Sequence, residues 1–488
     1  MSYLELLKLA APETIVVATA LAVLTIGLVN TRAALLCPVV AAIGIVAAIV
    51  ALLRLPLHAD LFGGMLVVSP LNSLFKIICL ILALVTLPLA AAEKNPRNPG
   101  EFTALLLLGA LGLMLLVGSE ELLMIFIGLE LLGLSLYVMA AFDKADICSA
   151  EAGLKYFLFG STASAFTLFG ISLVYGISGT TALAAIGQRL AVSAAQPLLA
   201  VGIVMTLIGF AFKIAAAPFH LWAPDAYQGA PIPSAAFIAS GSKVASFVVL
   251  GKIVLVGFAS VRGSADWHAM IAGWSPVLAA LAALSILLGN FVALAQTNVR
   301  RLLAYSAVAH GGYTLLGIVA GGRDGFSSTL FYTSVYAVTL IGAFAVVGVV
   351  RRETGGDELQ NFAGFATRSP FLATSMSIFL LSLAGLPPLA GFFGKFYLFS
   401  ATFRAGANHG LLWLVAVALF GSFVSLYYYL VVLKAIFVDQ PSDSGTRHPS
   451  LVIRHFIVSA TIAVLAATVL FLGLMPQTLA ARIIAALP

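Results

Sequence analysis

The chain has 488 residues, of which 61% are hydrophobic and only 9% charged, and its mean hydropathy is +1.10. Water-soluble domains carry roughly a quarter charged residues, so a soluble fold of this length is excluded for want of polar surface. The net charge of +6 comes from cations placed singly or in pairs between apolar runs, which is the pattern of a membrane-topology signal and not of a nucleic-acid-binding face.

Long apolar runs, in place of short alternating segments, indicate an all-α integral membrane protein and not a β-barrel. A spanning helix needs about 20 apolar residues. That length predicts fourteen helices, near residues 12–30, 33–53, 71–92, 102–118, 121–141, 152–176, 197–222, 232–257, 271–294, 301–320, 327–350, 370–400, 410–437 and 452–474. The first begins beside Glu5 and Glu13 with no basic segment or cleavage site, so it reads as a retained helix. The second has the weakest pattern and runs into the loop 54–60. The twelfth is too long for one straight span and contains Pro387 and Pro388.

The polar stretches 351–369 and 439–450 are too short to be domains, and the chain has no Walker A or dinucleotide fingerprint. Cys37, Cys79 and Cys148 lie far apart, without metal or iron–sulfur spacing, and read as packing residues. No metal or cofactor site is therefore expected on this chain. Loops after odd-numbered helices hold Arg32, Lys94, Arg97, Lys144, Arg300, Arg301, Arg351, Arg352, Arg368, Arg447 and Arg454. The other side holds Lys8, Arg54, Arg189, Arg262, Arg323, Arg404 and Arg482, giving eleven cations against seven. The positive-inside rule then places both termini outside the cytoplasm.

Ionisable residues inside spanning helices are costly and mark function by default. Glu130 stands about 14 Å beyond Glu121 along its helix, near the midplane. Lys213, Lys243 and Lys395 also fall at membrane depth, while Lys155 and Lys252 lie nearer helix ends and read as snorkelling or statically paired. A desolvated lysine beside a carboxylate is suited to load and release a proton near neutral pH, whereas arginine does not deprotonate. His220 and His310 are the deep histidines. With Tyr305 and Ser306 near His310, they are candidates for a relay through water.

Two helices are expected to be broken. Residues 210–225 read FAFKIAAAPFHLWAPD, with Pro218 mid-span, and residues 383–399 read LAGLPPLAGFFGKFYLF. Proline removes a backbone donor and frees a carbonyl, which is tolerated at membrane depth only where protein or a cavity receives it. The breaks fall in helices 7 and 12. Interrupted helices in matching halves point to inverted repeats, here two five-helix repeats of helices 4–8 and 9–13. The organisation expected is 1–100 for three N-terminal helices, 101–258 and 259–438 for the repeats, and 439–488 for a loop and the last helix. The lysine precedes the proline in one half and follows it in the other.

The segments FKIAAAPFHLWAPDAYQGAPIPSAAFIASGSKVA (212–245), RRLLAYSAVAHGGY (300–313) and LSLAGLPPLAGFFGKFYLF (381–399) resemble the antiporter-like membrane subunits of respiratory complex I. IGLELLGLSLYVM (127–139) and GLKYFLFGSTASAFTLFGISLVYGISGT (153–180) fit the same family, and the likeness is strongest over about residues 100–400. The resemblance implies proton transport without a redox centre on this chain. NADH, flavin, iron–sulfur clusters and quinone would belong to the whole complex. It implies Glu130 and Lys213 as a charge pair, Lys243 as a connecting site and Lys395 as the exit-side lysine. His310 and Lys155 match positions of the polar axis less closely. It also implies other membrane and peripheral subunits and lipids as partners, no nucleic acid, and a bacterial inner membrane as location. Two other readings stay open: a subunit of a multisubunit cation/proton antiporter or membrane hydrogenase, and a non-conducting membrane scaffold.

Overall fold

A computed structural model describes residues 3–29, 35–93, 98–192, 197–406, 409–440 and 452–487. Arg32, Lys94, Arg97 and Arg447, counted above as loop cations, lie outside the described residues.

The N-terminal part consists of α1 (Tyr3–Leu9), α2 (Ala11–Val29), α3 (Leu36–Leu53) and α4 (Pro70–Ala91). Between α3 and α4 the all-helical expectation fails locally. Strands β1 (Ala59–Leu61) and β2 (Leu66–Val68) pair antiparallel, with Leu61 opposite Leu66. The turn is made by Gly63 and Gly64 at positive φ, and Asp60 Oδ1 accepts from the Gly64 N–H at 2.7 Å, so a short side chain closes the turn that glycine permits.

The middle of the chain forms α5 (Pro99–Gly118), α6 (Leu122–Ala140), α7 (Ile147–Ser178), α8 (Leu183–Val192), α9 (Pro197–Lys213), α10 (Trp222–Gly229) and α11 (Ile232–Lys252). A π-helical turn over Ile253–Gly257 continues α11. Then follow α12 (Trp274–Leu294), α13 (Val299–Ala320), α14 (Gly322–Thr354), α15 (Phe365–Arg368), α16 (Pro370–Ala384), α17 (Ala390–Arg404), α18 (Leu412–Phe437), α19 (Val452–Leu474) and α20 (Gln477–Ala486). Among the described residues twelve helices are long and apolar enough to cross a membrane. These twelve match all the expected spans except the seventh and the twelfth, in whose place stand the shorter helices α9, which ends at Lys213, and α16 and α17, which are separated by residues 385–389.

Some bounds differ for local reasons. Helix α7 starts earlier than expected because Asp146 caps it, accepting from the Cys148 N–H at 2.9 Å. Helix α14 runs on to Gly355, whose φ of 81° ends it. Helices α8 and α20 were not expected, since each has ten residues and cannot span. Cys37 and Cys79 are buried, as packing residues should be, but Cys148 is exposed near the start of α7.

Apolar composition all round a helix gives no amphipathic stripe to orient it, so burial is decided by neighbours. The most apolar windows of the α11, α13 and α14 spans are 94% buried, against 33% for α2 and α7. The first three form the centre of the bundle, with α11 packed along α14 and α13 along α12 and α14. Small residues bring helices close where the backbone must meet: a Cβ on Gly170 of α7 would stand 2.5 Å from the Thr206 nitrogen of α9.

Candidate functional site

The first break, residues 214–221, follows directly on Lys213, the last residue of α9. Its polar backbone is taken up inside the protein. Ala217 N donates to Ser285 Oγ at 2.9 Å, and Trp222 Nε1 donates to the Phe212 carbonyl at 3.1 Å. Lys213 is buried, its ammonium donating to Tyr137 Oη of α6 at 3.5 Å and standing 5.2 Å from that ring's centre. Glu130, about two turns before Tyr137 on α6, is half-buried and accepts from Ser164 Oγ of α7 at 2.5 Å. Glu130 and Lys213 line one small cavity with Phe126, Thr167 and Phe212. Among the described residues the carboxylate bonds the serine and the ammonium the tyrosine, so the two charges share a cavity without a hydrogen bond between them.

Lys243 sits on α11 at the centre of the bundle and is 2% exposed. Its ammonium donates to the Ala307 carbonyl of α13 at 2.5 Å and lies 5.4 Å from the Tyr336 ring. One turn further on, His310 is held on both sides. Nδ1 meets Tyr332 Oη at 2.5 Å and Nε2 meets Tyr429 Oη at 3.0 Å. Tyr429 also bonds Ser306. Neutral imidazole has one N–H and one lone pair, so one tyrosine donates while the other accepts, and exchanging the tautomer reverses both bonds.

The second break, residues 385–389, separates α16 from α17. Lys395 reaches back from α17 and donates to the Ala384 carbonyl at 2.9 Å and to Ser422 Oγ of α18 at 3.0 Å. Its ammonium lies 5.0 Å from the Tyr313 ring. Tyr313 in turn stands edge-on to His310 at 5.6 Å, and Tyr336 is tilted against His310 at 5.1 Å. His310 therefore lies between the rings that carry Lys243 and Lys395.

Three expected residues lie off this row. The Lys155 side chain is 38% exposed and pairs with Glu151 at 2.6 Å and Asp225 at 2.7 Å, where Arg301 joins Asp225 at 2.7 Å. It belongs to an ion cluster at the bundle's end. Tyr305 is half-buried beneath the Arg301 guanidinium, 5.9 Å from its ring. His220 is in the first break and not in a helix; its Nδ1 is buried with no hydrogen-bond partner among the described residues, and its ring stands 6.3 Å from that of Tyr305. The prolines Pro218, Pro387 and Pro388 all fall within the two breaks. Lys252, expected to snorkel or to pair statically, does not snorkel: it is 6% exposed and donates to Asn72 Oδ1 at 2.5 Å and to the Val117 carbonyl at 2.8 Å. Asn72 of α4 and the end of α5 each offer it an acceptor inside the protein, so it need not reach for the interface.

Of the tyrosines that join the row, Tyr313 lies three residues after His310 on α13 and stands in the segment read around that histidine. Sequence reasoning missed the others. One signal was present: Tyr332 and Tyr336 are four apart and so share a face of α14. Tyr137 and Tyr429 come from two other helices, and no local pattern marks them.

The family described as "NADH:quinone oxidoreductase/Mrp antiporter, TM" matches residues 119–425. The chain belongs to this family. Among its relatives in the NADH:quinone oxidoreductase/Mrp antiporter family is NADH-quinone oxidoreductase subunit N 2 of Acidobacterium capsulatum. It is 45% identical over 98% of both chains. NADH-quinone oxidoreductase subunit N of Moorella thermoacetica is 44% identical over 78% of both. A chain of respiratory complex I from Thermus thermophilus superposes with a TM-score of 0.78 at 31% identity, covering 96% of this chain and 98% of that one. A chain of the Mrp complex from Dietzia shares the fold, with a TM-score of 0.83 at 21% identity over 98% and 97% of the two chains.

Proposed function

We propose that this chain is the subunit N type of membrane subunit in a bacterial NADH:quinone oxidoreductase, and that it moves protons through the buried row from Glu130 and Lys213 by Lys243 and His310 to Lys395. The observation that carries the reading is the set itself: three lysines and a histidine, each at most 4% exposed, with Lys243, His310 and Lys395 joined through the Tyr336 and Tyr313 rings and Lys213 set against Tyr137. Burying so much ionisable side chain is costly for packing alone. The identity to subunit N relatives over nearly the whole chain supports the choice of complex.

In this reading the chain has fourteen spans, with α9–α10 and α16–α17 each counted as one, arranged as two inverted five-helix repeats. Both termini lie on the periplasmic side of the inner membrane. NADH, flavin, iron–sulfur clusters and quinone are held by other subunits. Quinone reduction there alters the field at Glu130, and the shared cavity lets Lys213 gain or lose the carboxylate as its partner. The proton then passes by Lys243, and tautomer exchange at His310 hands it across to the Lys395 side. Lys155, Tyr305 and His220 border the entrance to this row.

The test is to tag the chain at native expression, purify it in mild detergent and measure inhibitor-sensitive NADH:quinone reduction. Activity with co-purifying subunits is expected. A particle that carries sodium in exchange for protons and does not oxidise NADH would replace the reading with an antiporter subunit. Unimpaired pumping after removal of the buried lysines would leave a scaffold.

A further inference from the structure

A second group of buried charges lies at the other end of α11, away from the row. Lys76 of α4 and Glu13 of α2 form an ion pair at 2.6 Å, with side chains 3% and 8% exposed. The second oxygen of Glu13 is buried and has no hydrogen-bond partner among the described residues. Lys252 closes α11 directly before the π-helical turn, a distortion common at functional positions. It bonds Asn72, which stands one turn before Lys76 on α4. Its ammonium is 3.8 Å from Glu120, whose side chain is 45% exposed.

Both ammoniums gather at the last turn of α5. Lys252 bonds the Val117 carbonyl, and a Cβ on Gly118 would fall 2.7 Å from Lys76 Nζ. A helix C-terminus is the negative end of its dipole and accommodates cations. Static pairing explains Lys76 with Glu13. It does not explain why Lys252, whose acid is at 3.8 Å and open to the surface, is buried in the same cluster, nor why Glu13 keeps an unused oxygen.

Toward the row, Lys243 stands nine residues before Lys252 on the same helix, about 14 Å by helical rise. Among the described residues, the hydroxyls of Ser242, Ser246 and Tyr336 around Lys243 are buried without hydrogen-bond partners. Ser246 is one turn from Lys243 in the direction of Lys252. Unpaired buried hydroxyls at that spacing are places for a transient water.

We propose that Lys252 and Glu120, backed by Lys76 and Glu13, form a second proton-exchange site that gives Lys243 its own branch to the membrane surface. The proposal rests on the proton-moving reading of the buried row. A proton leaves the Lys252 ammonium for the Glu120 carboxylate, producing a neutral amine and a carboxylic acid. The acid releases the proton to water, and the amine is reloaded from Lys243 through Ser246 and water. The Lys76 ammonium, fixed by Glu13, repels the charge on Lys252 across Asn72.

The experiment compares Lys252→Met, Lys252→Arg, Lys252→His and Glu120→Gln in the assembled complex, reading protons translocated per NADH oxidised in inverted membrane vesicles. Lys243→Met serves as the control for the row. Proton transfer at the branch is expected to slow about a hundredfold in Lys252→Met and Lys252→Arg, lowering the proton yield. Lys252→His retains it, because imidazole exchanges protons and guanidinium does not. Glu120→Gln, at a surface-accessible residue, lowers the yield without disturbing the core. Full yield in Lys252→Met and Glu120→Gln overturns the branch, and full yield in Lys252→Arg reduces Lys252 to a structural charge. If Lys243→Met also pumps normally, the reading of the row has failed, and not the branch alone.

Discussion

The two broken helices solve the same problem with opposite chain order. At the first break Ser285 and Trp222 satisfy the freed backbone, and Lys213 is left to face Tyr137 and the cavity it shares with Glu130. At the second, Ser382 Oγ accepts from the Gly391 N–H at 3.1 Å, but the Ala384 carbonyl is held by Lys395 itself at 2.9 Å. One lysine is spared from backbone duty and faces a carboxylate. The other caps a helix end and has only neutral acceptors. The comparison separates two settings of one residue type: an ammonium that holds no backbone group and shares a cavity with a carboxylate in the first half, and an ammonium that holds a helix-end carbonyl in the second.

The largest effect is expected at Lys213. Lys213→Met removes the proposed proton carrier, and positioned proton transfer contributes roughly 10²–10⁴-fold, so NADH-driven proton uptake by inverted vesicles should be abolished while the complex still assembles. Lys213→Arg keeps the charge and should fail equally; an arginine variant that pumps would show that only the charge matters.

Lys395→Met should also stop pumping, but with a second consequence. It strips the Ala384 carbonyl of its side-chain donor, and an unsatisfied buried acceptor costs about 1–3 kcal/mol. Thermal unfolding of the purified complex should therefore show a loss that Lys213→Met does not. Equal melting of the two variants would erase the distinction between the breaks.

Gly160→Ala tests the geometry at the first break without touching a charge. A Cβ there would stand 2.1 Å from Tyr137 Oη, so the tyrosine must swing off the lysine. Overpacking of this kind costs about 1–3 kcal/mol, and turnover should fall several-fold in proton-coupled assays. Smallest of all is Lys155→Ala. Its ion pairs are partly solvated, so the change should stay within about 1 kcal/mol in stability, with pumping near that of the parent. A loss matching Lys213→Met would bring Lys155 into the row.

Much of the site was legible one residue at a time. Glu130, Lys213, Lys243 and Lys395 stand out because lipid penalises charge, and that penalty depends on depth in a helix, which sequence position measures. Lys155 and Lys252 show the limit of the rule. Both were placed near helix ends, yet one is exposed in an ion cluster and the other buried against Val117 and Asn72. Depth along a helix says nothing of what stands beside it. The same holds for Lys76, whose partner Glu13 is 63 positions away.

The sequence by itself determined that the chain crosses a membrane many times, which two helices are interrupted by proline, and that Lys213, Lys243 and Lys395 lie inside the bundle. These follow from local composition and from proline chemistry, whose physics acts within a few residues. Only the tertiary structure decided that α11, α13 and α14 form the centre, that His310 stands between two tyrosines from α14 and α18, and that Lys213 and Lys395 differ in what they hold. Helices apolar on every side carry no stripe to say which way they face. In such a protein, partners are chosen by close packing and by the need of each buried polar group for another.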